Sequence, residues 1–320
     1  MKAVDAAQAK PFGGIFTPIV TPFTTDDAVD EGALRSNVDR WMKTPLTGLV
    51  VLGSNGEAAQ LDDAEADRVV DIVRERVPAN RPLIAGTGRE STKATIAATA
   101  RAAAAGVDAV LVRTPSFFKS QMTAEIFVRH YTDVADASRV PVLLYNVTMF
   151  TGVTIPVEAV ERLACHPNIV GMKESGGDIG YISELVTRTP DDFTVLAGSA
   201  TTFFHALCAG CDGAILALAA LLPDACMRMQ ALVREERLGE ARVLQHWITP
   251  LARSVGGTYG VAGLKAALDL SGYNGGVPRP PLRPAPPHVV ETISGQLAAL
   301  AAFGTLERAP DASELTTETP

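Results

Sequence analysis

A lysine inside an apolar segment is the residue of this sequence with the clearest chemical potential. Lys173 lies in the run IVGMKES (169–175), and none of the other lysines occupies such a strand-like apolar pattern. Gly171 and Ser175 share its face of the predicted strand and leave room for a ligand. An amine in a poorly solvated site loses its proton readily and can attack a carbonyl carbon. A structural ion pair explains a buried lysine equally well, so both interpretations stay open.

Two further groups are suited to work with such an amine. Tyr145 ends the preceding apolar run, and a phenol beside an amine can relay protons to a carbinolamine and a leaving hydroxyl. The segment Gly53–Gly56 contains two glycines after another apolar run, and backbone N–H groups of such a turn can hold a carboxylate. Taken singly, an ordinary buried tyrosine and a plain strand-to-helix turn explain these residues as well.

Metal and disulfide chemistry have little support in the sequence. His205, Cys208 and Cys211 have ligand-like spacing, but no second ligand pair accompanies them and the segment has a helical pattern. With Cys165 and Cys226 there are four cysteines, too few for a disulfide scaffold in a chain of this length. We therefore predict no metal site and a reducing compartment.

Short apolar runs that recur along the chain must position these groups. They lack the alternation of half-exposed strands, which favours strands buried on both faces. The eight runs are 14–20, 48–53, 82–88, 109–115, 140–147, 169–175, 193–199 and 212–218.

Helical patterns separate these runs, for example the alanine-rich stretch that begins at Ser91, a predicted N-cap, and ends before Gly106. Eight strand–helix units over roughly 210 residues predict an α/β fold, a (β/α)8 TIM barrel with additional C-terminal helices. An open doubly wound sheet would need a glycine-rich phosphate turn after the first strand, where Thr21-Pro22-Phe23 stand instead.

One domain accounts for the whole chain in this prediction. Residues 1–11 form a flexible N-terminus and residues 12–222 form the barrel. Residues 223–303 form a helical extension of the same domain, which includes a proline-rich connector over 278–287. Residues 304–320 form a polar, disordered tail.

The composition limits the classes of function. Of 320 residues, 47% are hydrophobic and 20% are charged, which allows a large core and excludes disorder over the whole chain. The net charge of −8 argues against nucleic acid or an anionic membrane as partner. Neither an apolar stretch of about 18 residues nor a leader-like N-terminus is visible, so we predict a cytoplasmic protein.

Three motifs in this order resemble the dihydrodipicolinate synthase/N-acetylneuraminate lyase superfamily. They are GSNGE from Gly53, YNV followed by TG over 145–152, and IVGMKES over 169–175. Each stands at the end of a predicted strand, where (β/α)8 enzymes carry their active sites. The segments HPNIVGMKESGGD, FTVLAGSA and GLKAALDLSGYNGG look most like those of 4-hydroxy-2-oxoglutarate aldolases.

The resemblance implies class I aldolase chemistry without a metal or an organic cofactor. Lys173 would form an imine with the 2-keto group of pyruvate, and Tyr145 would relay protons. Members of the superfamily are commonly homotetramers. The substrate-binding residues implied in the same way are Gly53, Ser54, Asn55, Phe117, Phe150, Ser175 and Ile215.

Two phenylalanines depart from the pattern of the dihydrodipicolinate synthases. Those enzymes place a relay tyrosine where Phe117 stands, and an arginine that holds the aldehyde's carboxylate where Phe150 stands. A phenyl ring cannot pair with a carboxylate, so both changes argue against lysine biosynthesis.

We therefore expect a pyruvate-dependent class I aldolase that cleaves or forms a 4-hydroxy-2-keto acid such as 4-hydroxy-2-oxoglutarate. Its partners would be pyruvate and an aldehyde. A 2-keto-3-deoxy sugar acid dehydratase and a dihydrodipicolinate synthase-like enzyme stay open, because both can use the same lysine. A non-catalytic 2-keto-acid-binding protein is the alternative of another class.

Overall fold

The computed structural model describes Lys10, residues 12–302 and Gly304. The predicted flexible N-terminus and disordered tail therefore lie almost wholly outside the described residues. Within residues 12–302, no helix combines the length and apolar character that crossing a bilayer requires.

Eight parallel strands close into a barrel in chain order, and β8 pairs with β1. This confirms the predicted (β/α)8 barrel. Each strand begins within one of the apolar runs, where branched side chains suit a sheet buried on both faces. The strands are β1 Gly14–Pro18, β2 Gly48–Val51, β3 Leu83–Gly86, β4 Ala109–Arg113, β5 Val142–Asn146, β6 Ile169–Glu174, β7 Thr194–Ala197 and β8 Gly213–Ile215.

Twelve α-helices lie within the described residues, and four of them follow the barrel as predicted. They are α1 Glu31–Trp41, α2 Asp63–Arg76, α3 Thr92–Ala104, α4 Ala124–Ala137, α5 Thr148–Thr151, α6 Val157–Leu163, α7 Ile179–Arg188, α8 Phe203–Cys208, α9 Pro223–Arg234, α10 Leu238–Arg253, α11 Gly260–Leu270 and α12 Pro287–Ala302. That α9 to α12 form one domain with the barrel remains a prediction.

Local sequence signals explain where several helices begin. Ser91 accepts a hydrogen bond from the Ala94 amide, which confirms the predicted N-cap of α3. Asp62 and Glu65 form a reciprocal capping box at the start of α2. Two helices were not predicted, the four-residue α5 and the longer α1. Helix α1 packs Leu34, Val38 and Trp41 inward, although its sequence is otherwise polar.

The barrel separates two buried apolar sets. Outward-facing side chains of the strands pack against the helices and form the larger set. The smaller set fills the barrel interior and includes Phe16, Leu143, Tyr145, Leu196 and Ile215. Residues of the strands therefore alternate between the helical layer and the interior, and the interior ends at the strand termini.

We expect Gly48→Ala to destabilise the barrel by about 3 kcal/mol, because the added methyl group overpacks β2. Its Cβ would lie 2.2 Å from the Pro82 carbonyl oxygen and 2.8 Å from a carbon of the Phe16 ring. Gly239→Ala in α10 is the matched control, since nothing lies within 4 Å of its Cβ. It should keep or raise stability, by up to about 1 kcal/mol. Urea unfolding measures both, and equal midpoints would contradict the prediction.

Candidate active site

A cavity of about 800 Å³ opens at the carboxyl ends of the barrel strands. This is the end at which (β/α)8 enzymes hold their active sites. The polar and aromatic side chains that line it include Ser54, Arg113, Tyr145, Phe150, Tyr259 and Arg283.

The sheet register places a row of side chains beneath this cavity. Tyr145 pairs with Lys173 in β6 and with Arg113 in β4, while Lys173 pairs with Leu196 in β7. Partners at one level of a parallel sheet point to the same side. Because Tyr145 and Leu196 belong to the interior set, the whole row faces the interior of the barrel.

Lys173, Tyr145 and Ser54 form a chain of polar contacts. The Lys173 Nζ donates to the Tyr145 Oη at 3.3 Å, and the Ser54 Oγ lies 3.4 Å from the same oxygen. Lys173 and Tyr145 are only 5% and 6% exposed. The three groups lie on β6, β5 and the turn after β2, so the closure of the barrel is what joins them.

No carboxylate among the described residues forms an ion pair with Lys173, which distinguishes between the two interpretations of this lysine. Glu174, the next residue, faces the other side of β6, where the Asn146 amide donates to it at 2.6 Å. Burial raises the pKa of the Glu174 carboxyl. A structural ion pair therefore does not explain Lys173, and the nucleophile interpretation remains.

The environment of Tyr145 suits a group that exchanges protons. Burial acts to raise the pKa of its phenol, but the charge of Lys173 and the hydrogen bond with Ser54 outweigh it. The pKa of Tyr145 is consequently lowered from its ordinary value. A phenol with a lowered pKa gives up its proton more readily at neutral pH, as a relay requires.

The space around the Lys173 amine depends on Gly198, in the turn after β7. A Cβ at Gly198 would come within 1.9 Å of the Ser175 Oγ and 2.9 Å of the Lys173 Cε. Only a residue without a side chain fits there. Gly198 had no predicted role, because its importance depends on side chains of the neighbouring strand β6.

The turn after β2 offers fewer free hydrogen-bond donors than the predicted anion nest. Its amides at Gly56 and Glu57 donate to the Gly53 and Ser54 carbonyls, at 3.0 and 3.1 Å. The Ser54 and Asn55 amides donate to no acceptor within the described part of the chain. Gly53 and Ser54 line the cavity, but Asn55 does not. The nest therefore offers two amides and one hydroxyl instead of a full ring of donors.

Lys173, which lies beneath the cavity, and three other predicted residues are not among the residues that line it. Ile215 is fully buried in the barrel interior, where its strand pairs with β1. Phe117 is 78% exposed and stacks edge-on against Phe118 at 5.1 Å. Ser175 lies over Gly198, beside Lys173. Phe150 does line the cavity, at its exposed rim.

Arg113 is a residue of the site that the sequence analysis missed. Its Nη1 lies 2.8 Å from the Glu90 Oε1, and Glu90 also accepts the Ser116 and Phe117 amides at 2.8 Å each. Burial acts to raise the pKa of Glu90, but these donors outweigh it and the pKa is lowered. Counting by two from Ala109 in AVLVR would have placed Arg113 on the interior face.

The C-terminal segments complete the rim of the cavity. Thr258 ends the π-helical turn Ser254–Thr258 between α10 and α11, and Tyr259 follows it. Leu282 and Arg283 belong to the proline-rich connector. The connector was predicted as a spacer, and it also contributes to the site. No group of three metal-ligating side chains occurs among the described residues, and Cys211 is buried while Cys208 is exposed.

Comparisons with known proteins find similarity over most of the chain. Residues 11–299 match the sequence model of the dihydrodipicolinate synthetase family. The 4-hydroxy-tetrahydrodipicolinate synthase of Methanococcoides burtonii is 35% identical over 274 residues, which is 85% of this chain and 93% of the relative.

Solved structures show the same similarity along almost the whole chain. The 4-hydroxy-tetrahydrodipicolinate synthase of Methylacidiphilum fumariolicum SolV superposes with a TM-score of 0.86 at 30% identity, covering 92% of this chain and 99% of the other. A monomeric dihydrodipicolinate synthase variant superposes with a TM-score of 0.86 at 30% identity, covering 91% and 97%.

Proposed function

This chain belongs to the dihydrodipicolinate synthetase family, and on that premise we propose that Lys173 is its Schiff-base lysine and pyruvate its imine-forming substrate. Membership makes the protein a carbon–carbon lyase of the aldolase type. The observation that carries the proposal is the contact chain from the Lys173 Nζ through the Tyr145 Oη to the Ser54 Oγ.

In the proposed reaction, the neutral Lys173 amine attacks C2 of pyruvate and forms a carbinolamine. Tyr145 delivers a proton to the C2 hydroxyl, which leaves as water and gives the imine. The Tyr145 phenolate then takes a proton from C3 and leaves an enamine, whose carbon attacks the aldehyde and forms the new bond. A proton from Tyr145 neutralises the resulting alkoxide, and one water molecule hydrolyses the imine. The lyase direction reverses these steps.

The turn after β2 supplies the groups that orient pyruvate. Its carboxylate would accept hydrogen bonds from the Ser54 hydroxyl and from the Ser54 and Asn55 amides. Fixing the carboxylate places C2 next to the lysine, which lowers the entropic cost of imine formation. Because the Ser54 hydroxyl also contacts Tyr145, one residue would link substrate orientation to the proton relay.

For the aldehyde, we propose first an acceptor that carries a carboxylate, as in the synthase reaction that the relatives' names describe. A dipicolinate has two carboxylates, so one must come from the acceptor. Arg113 and Arg283 line the cavity and supply cationic groups for it. In this proposal they take the role of the arginine that the synthases carry at the position of Phe150.

The second candidate is cleavage of a 4-hydroxy-2-keto acid, which the relatives' names do not support. The observation in its favour is Phe150, which places an apolar ring at the cavity rim where the synthases have an arginine. Product analysis distinguishes the candidates. A synthase converts pyruvate and a carboxylated amino-aldehyde into a cyclic product, an aldolase releases pyruvate from a 4-hydroxy-2-keto acid, and a dehydratase keeps the carbon chain whole. If the protein bound 2-keto acids but catalysed none of these three reactions, it would be a non-catalytic 2-keto-acid-binding protein.

Borohydride trapping tests the imine. Incubation with pyruvate and sodium borohydride should add one reduced pyruvate, located at Lys173 by peptide mass spectrometry. Omission of pyruvate is the control for non-specific reduction. An adduct at another lysine, or none, would refute the assignment of Lys173.

We also propose that the protein is a cytoplasmic homotetramer. The exposed Phe117 and Phe118 support self-association, because large exposed aromatic side chains favour burial against another chain. A relative described as a monomeric variant shows that the fold also exists as a single chain. Light scattering after gel filtration measures the mass, and a mass of one chain would contradict the proposal.

A further inference from the structure

A second buried lysine lies behind the turn that carries Ser54. The Lys265 Nζ, on α11, is 2.6 Å from the Glu57 Oε1. The two residues are 1% and 3% exposed, so the pair is removed from solvent. Unlike Lys173, this lysine has a carboxylate partner and no contact with the amine–phenol chain.

The pair is part of a larger anchor that ends on the turn itself. Lys265 Nζ also donates to the carbonyls of Thr21 at 2.9 Å and Val277 at 2.7 Å. The Thr21 hydroxyl donates to the Gly56 carbonyl at 2.7 Å. Segments after β1, in α11 and before the connector therefore converge on two consecutive residues, Gly56 and Glu57.

A residue of the proline-rich connector binds the other carboxylate oxygen of Glu57. It accepts the Arg279 amide at 2.8 Å, while the Arg279 guanidinium binds both oxygens of Glu65 at 2.7 Å. The guanidinium and the Lys265 ammonium lie 4.2 and 4.7 Å from the centre of the Phe23 ring. Each oxygen of Glu57 thus has its own fixed partner.

Stability alone is a weak explanation for this pair. Burying two charges costs desolvation, and well-packed apolar residues at such positions are often as stable or more so. Glu57 also has left-handed backbone angles, φ 55° and ψ 33°, which a side chain other than glycine adopts at a cost. A conformation that is unfavourable by itself persists only where its surroundings determine it, and here the ion pair does so.

From these contacts we infer that Lys265 is a positioning residue: through Glu57 it holds the Gly53–Glu57 turn so that the Ser54 hydroxyl stays beside Tyr145 and the substrate carboxylate. The inference rests on the proposed function for its effect on pyruvate. The restraint on the turn itself does not depend on that function.

Lys265→Met tests the inference with two measurements. Deuterium uptake should accelerate in a peptide that covers residues 53–61, while a peptide that covers β6 exchanges as in the wild type. In borohydride trapping, the pyruvate concentration for half-maximal adduct should rise about tenfold, with full labelling of Lys173 at saturation. Lys10→Met is the matched control, because it breaks a lysine–carboxylate pair with Asp212 at the other end of the barrel. Both of its readouts should match the wild type.

Thr21→Val provides a second variant if Lys265→Met does not fold. It removes only the hydroxyl that binds the Gly56 carbonyl, and half-saturation should rise about fivefold. Unchanged uptake over 53–61, or faster uptake in β6 as well, would overturn the inference. Faster local uptake with unchanged half-saturation would overturn it too. A wild type that pyruvate and borohydride do not label refutes the proposed function instead, and the deuterium measurement still decides on the restraint.

Discussion

Replacing Lys173 with methionine is expected to abolish the pyruvate adduct and to lower kcat on the order of 10⁴-fold or more. Methionine keeps most of the length of the side chain but removes the amine that donates to Tyr145. Because Lys173 forms no ion pair with any described residue, its loss leaves no buried carboxylate unpaired. The protein should therefore stay folded, with a thermal midpoint close to that of the wild type.

Lys173→Arg separates nucleophilicity from charge in the same measurement. Arginine retains a cation beside the phenol but cannot form the imine, since its guanidinium stays protonated. Both variants should lack the adduct, whereas Lys43→Met, at an exposed lysine, should keep it with normal turnover. If Lys173→Met retained the adduct or most of its turnover, Lys173 would not be the Schiff-base residue.

Replacing Tyr145 with phenylalanine is expected to lower kcat by about 10²- to 10³-fold, the usual contribution of a positioned acid or base. The ring would still fill the barrel interior, and Lys173 would keep its amine. Pyruvate should therefore still label Lys173 in the presence of borohydride, but more slowly. Kinetics of turnover and of labelling, measured on the same preparation, give both values.

The pH dependence identifies the phenol as the group responsible. The relay must donate a proton, so turnover should fall as pH rises through the pKa of Tyr145, which Lys173 and Ser54 lower. Tyr145→Phe should lack this alkaline decline. Tyr131→Phe is the matched control, because Tyr131 is a buried tyrosine outside the cavity that donates to the Val112 carbonyl. If turnover of Tyr145→Phe still declined at alkaline pH, a group other than Tyr145 would be responsible for the decline.

The barrel and the unusual position of Lys173 were predictable because both depend on local patterns. Apolar runs located all eight strands, and the interruption of one run by Lys173 singled out the amine. Helix α1 shows that such a pattern can be overlooked: Leu34, Val38 and Trp41 have helical spacing after an Asp30 cap. The helical pattern of α1 was therefore present in the sequence, and only its interpretation failed.

Local patterns in the sequence thus suffice to predict the strand order, the unusual lysine and the tyrosine one strand before it. The fold was needed to establish that Lys173 has no carboxylate partner within the described residues, whereas Lys265 has one. It also decided that Arg113 stands in register with Tyr145 and that Arg279 reaches Glu57 from 222 positions along the chain. The alternation of side chains along a strand depends only on neighbouring residues and can be read from the sequence. Ion pairs and hydrogen bonds between distant segments form only when the barrel closes and brings those segments together.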